Sequence, residues 1–366
     1  MNGADSSAPA RSSPAVPGAS VPRVPPSGPL GARSDAGRSR EAAAPGATGN
    51  SLLHRLQAAI GESVIGYDSA VEALTIALSC DGHVLLEGLP GLAKTYLVRS
   101  FARALDLSFR RIQFTPDMLP LDIVGNMVLS PKTQQFEFRP GPVFCNVLLA
   151  DEINRAPPKV QSALLEAMQE FQVTVDGISY PLPRPFLVIA TQNPLDQEGT
   201  YPLPESQLDR FLFRQILQYP RREDEIRILS TQGSDLNHEV APRIVSPDEI
   251  ASLRARHAST YVHPDVHRYI ADIIRETRKE PRILVGGSPR AGVHLMIAAR
   301  AMAILEDRAY VLPDDVRSLA FPVLNHRIIL RREAKRTTPS TESNVGPFAL
   351  LREVIDAVLN RVPAPR

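Results

Sequence analysis

The stretch HVLLEGLPGLAKTYL, His83–Leu97, decides how the rest of the chain is read. Its first half, HVLLEG, is a continuous apolar run of the kind a strand buried on both faces requires. Its second half is a small-residue loop ending in Lys94-Thr95, which follows the phosphate-loop order G-x-x-x-x-G-K-[ST] except that Ala93 replaces the second glycine. Such a loop works by aiming consecutive backbone N–H groups at phosphate oxygens from the start of a helix. Lys94 is placed to reach the β- and γ-phosphates, and the Thr95 hydroxyl to hold Mg²⁺. A glycine is required only where φ is positive or where a Cβ strikes the phosphate. The position before the lysine opens the helix, so Ala93 is expected at negative φ, while Gly88 and Gly91 are expected to be irreplaceable. Gly88, Leu89, Pro90, Gly91, Leu92, Ala93, Lys94 and Thr95 therefore form a candidate nucleotide cradle. Taken alone, the stretch also fits a generic strand-turn-helix.

Outward from this loop, strands and helices alternate. Ala93–Leu105 reads as helix, Arg111–Phe114 as strand, Asn146–Asp151 as strand and Pro157–Glu170 as helix. Phe186–Asn193 reads as strand, Glu205–Phe211 as helix and Gln215–Tyr219 as a last strand. This rhythm predicts a parallel sheet covered on both faces. Two insertions interrupt it. One spans about Pro120 to Pro142, where MVLSPKTQQFEFRPGP has the look of a small hairpin. The other is VTVDGISYPL, with Asp176-Gly177 between alternating apolar residues. Before the loop, helical spacing covers Leu52–Ile60 and Ala70–Leu78. After Pro220 the pattern is helical: SPDEIASL offers a Ser246 N-cap, Pro247 in the first turn and a capping box closed by Glu249. Helices follow near 264–278, 290–305 and 313–324.

The expected organisation is a disordered Pro/Ala/Ser/Gly-rich tail over 1–50, a nucleotide-binding core over 51–222, a helical lid over 223–336, and a linker with a C-terminal helix over 337–366. The tail has no aromatic residue and too little apolar surface to offset chain entropy. It reads as a tether; VPRVPPSGP is only a weak sign of the alternative, a proline-rich partner ligand. The 366 residues carry 41 Lys+Arg against 40 Asp+Glu, so no global field draws the chain to nucleic acid or anionic membrane. Two cysteines, Cys80 and Cys145, sit in apolar surroundings without a pairing framework, which fits a reducing compartment. The eight histidines show no metal-binding spacing. No apolar run approaches the roughly 18 residues of a membrane span, and the N-terminus has no secretory apolar region, so a cytoplasmic location is expected.

The chemistry beyond the loop sits at strand ends. VLLADEINRA ends a buried strand in adjacent acids. With the phosphate loop upstream, Asp151 is placed beside the metal to hold Mg²⁺ mainly through water, and Glu152, facing the γ-phosphate, to polarise the attacking water as general base. An isolated acidic pair at a strand end is usually just solvated. IATQNP ends the next strand at Asn193, which either orients water or simply initiates an Asn-Pro turn. PESQLDRFLFR supplies Arg210, with Arg214 close by; the plain reading pairs Arg210 with Asp209 or Glu205. GGSPRAG puts Arg290 in the first turn of a helix, where a cation is unfavourable unless an anion lies near. The basic stretch His326–Arg336, HRIILRREAKR, is either a nucleic-acid contact or a solvated helix end or lid contact.

This order of features resembles AAA+ ATPases. More narrowly, LLEGLPGLAKT, RIQFTPDMLPLDIVG, FEFRPGPVF, LLADEINRAPPKVQSALLEAMQE, VIATQNPLDQEGTYPLPESQLDRF and SPRA resemble the MoxR family over about residues 52–336. That family carries alanine before the phosphate-loop lysine. One departure is Tyr67 in VIGYD, where the family often has glutamine, a difference confined to the adenine pocket. The resemblance implies an α/β P-loop AAA+ core with inserted hairpins and a helical lid. It implies a ring, usually hexameric, with ATP and Mg²⁺ between subunits. Lys94, Thr95, Asp151, Glu152 and Asn193 would act within one chain. Arg210, or failing it Arg214, would be the arginine finger offered to a neighbour, and Arg290 would couple nucleotide state to lid angle. The hairpins would face the pore or a client. The implied activity is chaperone-like remodelling of protein complexes by ATP hydrolysis, often with a von Willebrand factor A-domain partner. A nucleotide-dependent scaffold with little turnover and, less in keeping with the balanced charge, a DNA-associated motor are the alternatives.

Overall fold

Strand-helix alternation builds a parallel sheet because each crossover must return the chain to the same edge before the next strand begins. The computed structural model describes residues 51–193, 200–232, 241–336 and 348–365. The proline-rich segment 1–50 and the linker 337–347 lie outside the described residues. The strands are β1 (Val84–Glu87), β2 (Phe109–Gln113), β3 (Gly125–Leu129), β4 (Phe136–Pro140), β5 (Val147–Asp151), β6 (Gln172–Val175), β7 (Ile178–Pro181), β8 (Leu187–Gln192), β9 (Phe213–Ile216), β10 (Ile283–Val285) and β11 (Ile329–Leu330). Five of them, ordered β2-β5-β8-β1-β9, form the central parallel sheet.

The helices of the core are α1 (Leu52–Gly61), α2 (Asp68–Ser79), α3 (Lys94–Ala104), α4 (Leu121–Val124), α5 (Pro158–Glu170) and α6 (Glu205–Leu208). Those that follow are α7 (Arg222–Gln232), α8 (Pro247–Ser259), α9 (Pro264–Thr277), α10 (Pro289–Leu305), α11 (Pro313–Leu324), α12 (Arg332–Arg336) and α13 (Ala349–Arg361).

Successive residues of a strand point to opposite faces, and two apolar clusters record this. Val84, Leu86, Val147, Leu149, Leu187 and Ile189 share one cluster with α1, α2, α3 and the lid helices. Leu85, Leu148, Ala150, Val188 and Ala190 share the other with α5 and the bases of the insertions. The central strands are apolar throughout because both of their faces are covered. Each fully buried Leu, Val or Phe contributes about 1.5–3 kcal/mol.

In the lid, α9 buries Val266, Tyr269, Ile270, Ile273, Ile274 and Thr277, a stripe at helical spacing. The α8 capping box forms in full: Glu249 N–H donates to Ser246 Oγ at 3.2 Å, and Ser246 N–H donates to Glu249 Oε2 at 3.0 Å. Arg55 of α1 donates to the same Glu249 at 2.8 Å and so ties lid to core. Both insertions form hairpins, β3-β4 behind the short α4, and β6-β7. The β6-β7 turn places Asp176 at φ 50° and Gly177 at φ 79°, the doubly positive turn that matches strand twist. Phe138 of β4 stacks on Tyr180 of β7 with centroids 3.9 Å apart, so the hairpins lie side by side.

The structure departs from the sequence reading in several places, among them β2, which begins at Phe109 and not Arg111. The last strand is β9, two residues earlier than expected, because it pairs residue for residue with the four of β1, Val84↔Phe213 through Glu87↔Ile216. Helix α6 stops at Leu208 instead of Phe211, because the following turn tightens to three-residue bonds, Arg210 N–H to Gln207 O at 3.2 Å and Phe211 N–H to Leu208 O at 3.1 Å. The antiparallel pair β10-β11 was not expected, since each member is too short to show a period.

Candidate nucleotide site

Parallel pairing puts the carboxyl ends of β1, β5 and β8 on one edge of the sheet, and the register aligns them. Glu87 lies opposite Gln192, and Asp151 lies opposite Gln113 of β2. The phosphate loop, Asp151-Glu152 and Asn193 each begin where one of these strands ends, at the place where open parallel sheets bind ligands.

Within the loop, Gly91 has φ +84° and open space around a would-be Cβ, so its requirement is conformational. Gly88 has no positive φ; a Cβ there would lie 3.0 Å from Leu217 Cβ and 3.2 Å from the Leu217 carbonyl, so its requirement is steric. Ala93 corrects the expectation of negative φ. It is the N-cap of α3 at φ 49°, ψ 25°, in the left-handed region, and Leu97 N–H donates to its carbonyl at 2.9 Å. The cause is geometric, because the chain must turn from the loop into the helix within one residue. Lys94 Nζ lies across the loop and donates to the Gly88 carbonyl at 2.7 Å. Alternating backbone signs at Gly91 and Ala93, a helix N-terminus and a lysine amine over the concavity make a cradle suited to phosphate oxygens. Thr95 follows in the first turn of α3.

The acidic pair is held more tightly than the sequence suggests. Thr191 of β8 donates its hydroxyl to Asp151 Oδ1 at 2.5 Å, and Arg111 of β2 donates from Nε at 3.0 Å and Nη2 at 2.7 Å to Oδ2. Glu152 sits at φ 59°, ψ 49°, and its N–H donates to the Thr191 hydroxyl at 2.9 Å. Its carboxylate accepts from Gln113 Nε2 at 2.7 Å and pairs with Arg155 at 3.0 Å. Asn193 follows β8 directly and is half-buried. Arg111 and Gln113 are two apart on the strand beside β5, so strand alternation could have flagged them once that neighbour was known. Arg155 stands three residues after Glu152, a spacing at which opposite charges meet across a helical turn, so that pair is local; nothing in a single sequence marks Thr191.

The arginines sort clearly. Arg214, the fallback finger, is bound inside its own chain: its Nε donates to Glu87 Oε2 at 2.6 Å, and its guanidinium lies 4.6 Å over the Phe348 ring. That pairing engages Arg214 within its own chain. Asp209 is the anion near Arg290, whose Nη1 is 3.6 Å from Asp209 Oδ2. The other oxygen of Asp209 accepts from Arg327 Nε at 2.7 Å. Arg210 has no ion pair among the described residues, so the pairing with Asp209 or Glu205 does not occur. Within the basic stretch, His326 and Arg327 are buried lid contacts on the core, which leaves them unavailable to nucleic acid. Burial and the Arg327 charge push His294 down to about 4, and burial lowers Arg327 to about 10 against the pull of Asp209. Tyr67 is buried, and burial raises its hydroxyl pKa.

Among the described residues no group of His, Cys, Asp and Glu forms a protein metal cluster, and no helix is long and apolar enough to cross a membrane. A five-stranded parallel sheet with a phosphate loop and acid pair on one edge, capped by a helical domain, defines a P-loop nucleotide-binding ATPase with a lid. The family model for the ATPase family associated with various cellular activities (AAA) matches residues 83–213, and that for the AAA lid domain matches 275–347. Chaperone MoxR1 of Mycobacterium tuberculosis is 41% identical over 85% of this chain and 85% of its own. The uncharacterized protein YeaC of Bacillus subtilis is 45% identical over 82% of this chain and 91% of its own. A solved structure of a candidate ATPase from Cytophaga hutchinsonii superposes with a TM-score of 0.75 at 41% identity, covering 85% of this chain and 94% of that one. The chain belongs to the MoxR family of AAA+ ATPases.

Proposed function

We propose that this chain hydrolyses ATP to ADP and phosphate at the interfaces of a homo-oligomeric, hexameric ring and uses the cycle to remodel or activate protein complexes. Lys94 and the N–H groups of the first turn of α3 would bind the phosphates, with Thr95 and Asp151 holding Mg²⁺. When bound, Mg²⁺ supplies positive charge to the β- and γ-phosphate oxygens. Glu152 would take the proton of the attacking water, with Asn193 orienting it. For this, Glu152 must exchange Gln113 and Arg155 for water, and Arg111 must yield Asp151 to the cation. Arg290 would reach the nucleotide from the lid.

The observation that carries the interface is Arg210. Arg214, Arg290 and Arg327 each have a carboxylate partner in the chain, whereas Arg210 has none among the described residues. An uncompensated guanidinium beside the site suits a finger offered to a neighbouring γ-phosphate. The remodelling role is supported by the relative named as a chaperone. The paired hairpins, with Leu129 54% and Phe136 67% exposed, suit a polypeptide client or a von Willebrand factor A-domain partner. Two free thiols, Cys80 and Cys145, suit a cytoplasmic setting. The grip of Gln113 and Arg155 on Glu152 favours one second reading, a nucleotide-dependent scaffold with low turnover.

Mixing tests the interface. Arg210→Ala and Lys94→Ala proteins should each be nearly inactive, the first still binding ATP. Together they should regain activity, because an intact Arg210 then faces an intact phosphate loop. No recovery, with subunit exchange verified, would place Arg210 within its own chain.

A further inference from the structure

The segment Asp209–Leu212 is held in an unusual way. It leaves α6 through two short-range bonds, Arg210 N–H to Gln207 O at 3.2 Å and Phe211 N–H to Leu208 O at 3.1 Å, and enters β9 with Leu212 N–H on His83 O at 2.8 Å. Its own carbonyls go elsewhere, to the side chain of Arg327. That guanidinium is 2% exposed. Its Nε donates to Asp209 Oδ1 at 2.7 Å, its Nη1 to Leu212 O at 3.2 Å and to Val323 O, and its Nη2 to Asp209 O at 3.1 Å and to Phe211 O. Nη2 also meets His294 Nδ1 at 2.6 Å, which requires that ring nitrogen to be an acceptor and the imidazole neutral.

Arg327 belongs to the lid, in the turn between α11 and β11. Its neighbours in that turn grip the segment and the strand that follows it: His326 Nε2 meets Phe211 O at 3.2 Å, and Asn325 Nδ2 donates to Arg214 O of β9 at 2.9 Å. Arg210 lies between Asp209, bonded to Arg327, and Phe211, fully buried in the second apolar cluster. Its backbone is fixed on both sides by a lid contact, while its side chain has no partner among the described residues. A buried cation is costly unless its donors are satisfied, and here each Arg327 nitrogen meets an acceptor on the segment or on the lid. The arrangement has value if orientation matters more than stability.

The geometry points to Arg327 as a positioning residue that sets, from the lid of one subunit, the Arg210 offered to the next. This rests on the role of Arg210 in trans given above. Asp209 joins the two sides of the device, since its second oxygen faces Arg290, the candidate nucleotide contact on the same lid. Movement of α10 or of the α11–β11 turn is therefore conveyed to the backbone that carries Arg210.

The test assigns Arg327 to a complementation group. Arg327→Gln should bind ATP with unchanged KM and lose about 10²-fold in kcat, the effect of misplacing a reacting group by about 1 Å. Mixed with Lys94→Ala it should regain activity, as Arg210→Ala does, because its own phosphate loop then meets a correctly held finger. Mixed with Arg210→Ala it should stay inactive, since no correctly held finger is present. An unchanged kcat overturns the proposal. So does recovery with Arg210→Ala but not with Lys94→Ala, which would mean that Arg327 serves its own nucleotide site. Recovery with neither, while Arg210→Ala and Lys94→Ala still complement each other, makes Arg327 purely structural and also overturns it. If that control pair fails to complement, the trans reading of Arg210 falls, and the proposal with it. Should Arg327→Gln not fold, Asp209→Asn goes through the same mixtures with the same expected sorting.

Discussion

Substituting glycine for Ala93 isolates the one position of the phosphate loop where residue type and backbone conformation are at odds. At φ 49°, ψ 25°, an L side chain brings its Cβ against the following carbonyl at a cost of about 1–2 kcal/mol, and glycine removes that cost. Glycine also widens the unfolded ensemble, which takes back about 0.4–1 kcal/mol. The difference is a net stabilisation of up to about 1.5 kcal/mol, opposite in sign to the loss of about 0.5–1 kcal/mol that a helical Ala93 would give. Gly91→Ala supplies the internal control: with φ +84° and nothing within 4 Å of the added methyl, only the backbone cost of about 1–2 kcal/mol acts against it. Urea denaturation followed by circular dichroism, with midpoints compared at equal slope, reads both variants. A lower midpoint for Ala93→Gly, together with an unharmed Gly91→Ala, would refute the left-handed assignment and the cradle built on it.

Other consequences are open to measurement. His83 accepts from Val188 N–H at its Nδ1, 3.1 Å away, and its Nε2 lies 2.9 Å from the Met168 carbonyl; burial takes its pKa from 6.5 to about 4. The unfolded chain therefore binds the proton more tightly than the folded one. Stability should be constant above about pH 6.5 and fall by about 3 kcal/mol as the pH drops to about 4. A wild-type profile no steeper than that of His83→Gln would show that the ring titrates freely. Arg111→Gln removes the cation that competes for Asp151, so the free Mg²⁺ needed for half-maximal hydrolysis should fall several-fold. A higher requirement would mean that Arg111 helps to hold the Mg²⁺ site together.

The fold was largely legible because its signals are local. A run of apolar residues on both faces marks a central parallel strand, and Asp176-Gly177 fixes a two-residue turn. The Ser246–Glu249 capping box is written in four residues. What the sequence hid is cross-strand or cross-domain. The contacts of Asp151 with Arg111 and Thr191 depend on β5 lying between β2 and β8. The pairing of Arg214 with Glu87 depends on β9 lying beside β1. Arg327, in a stretch that reads as a basic helix end, becomes the buried clamp on Asp209 only once the lid is folded down. At Ala93 residue type points to negative φ, and the loop-to-helix turn overrides it.

The central claim, that this edge of the sheet is an ATP-hydrolysing site with Glu152 as its base, is tested most directly by ATP affinity and steady-state turnover of Glu152→Gln beside the wild type. The amide keeps the shape and the contact with Gln113 but cannot accept a proton. ATP binding should change by no more than about threefold while kcat falls by roughly 10²–10⁴. Turnover at the wild-type rate would contradict the account.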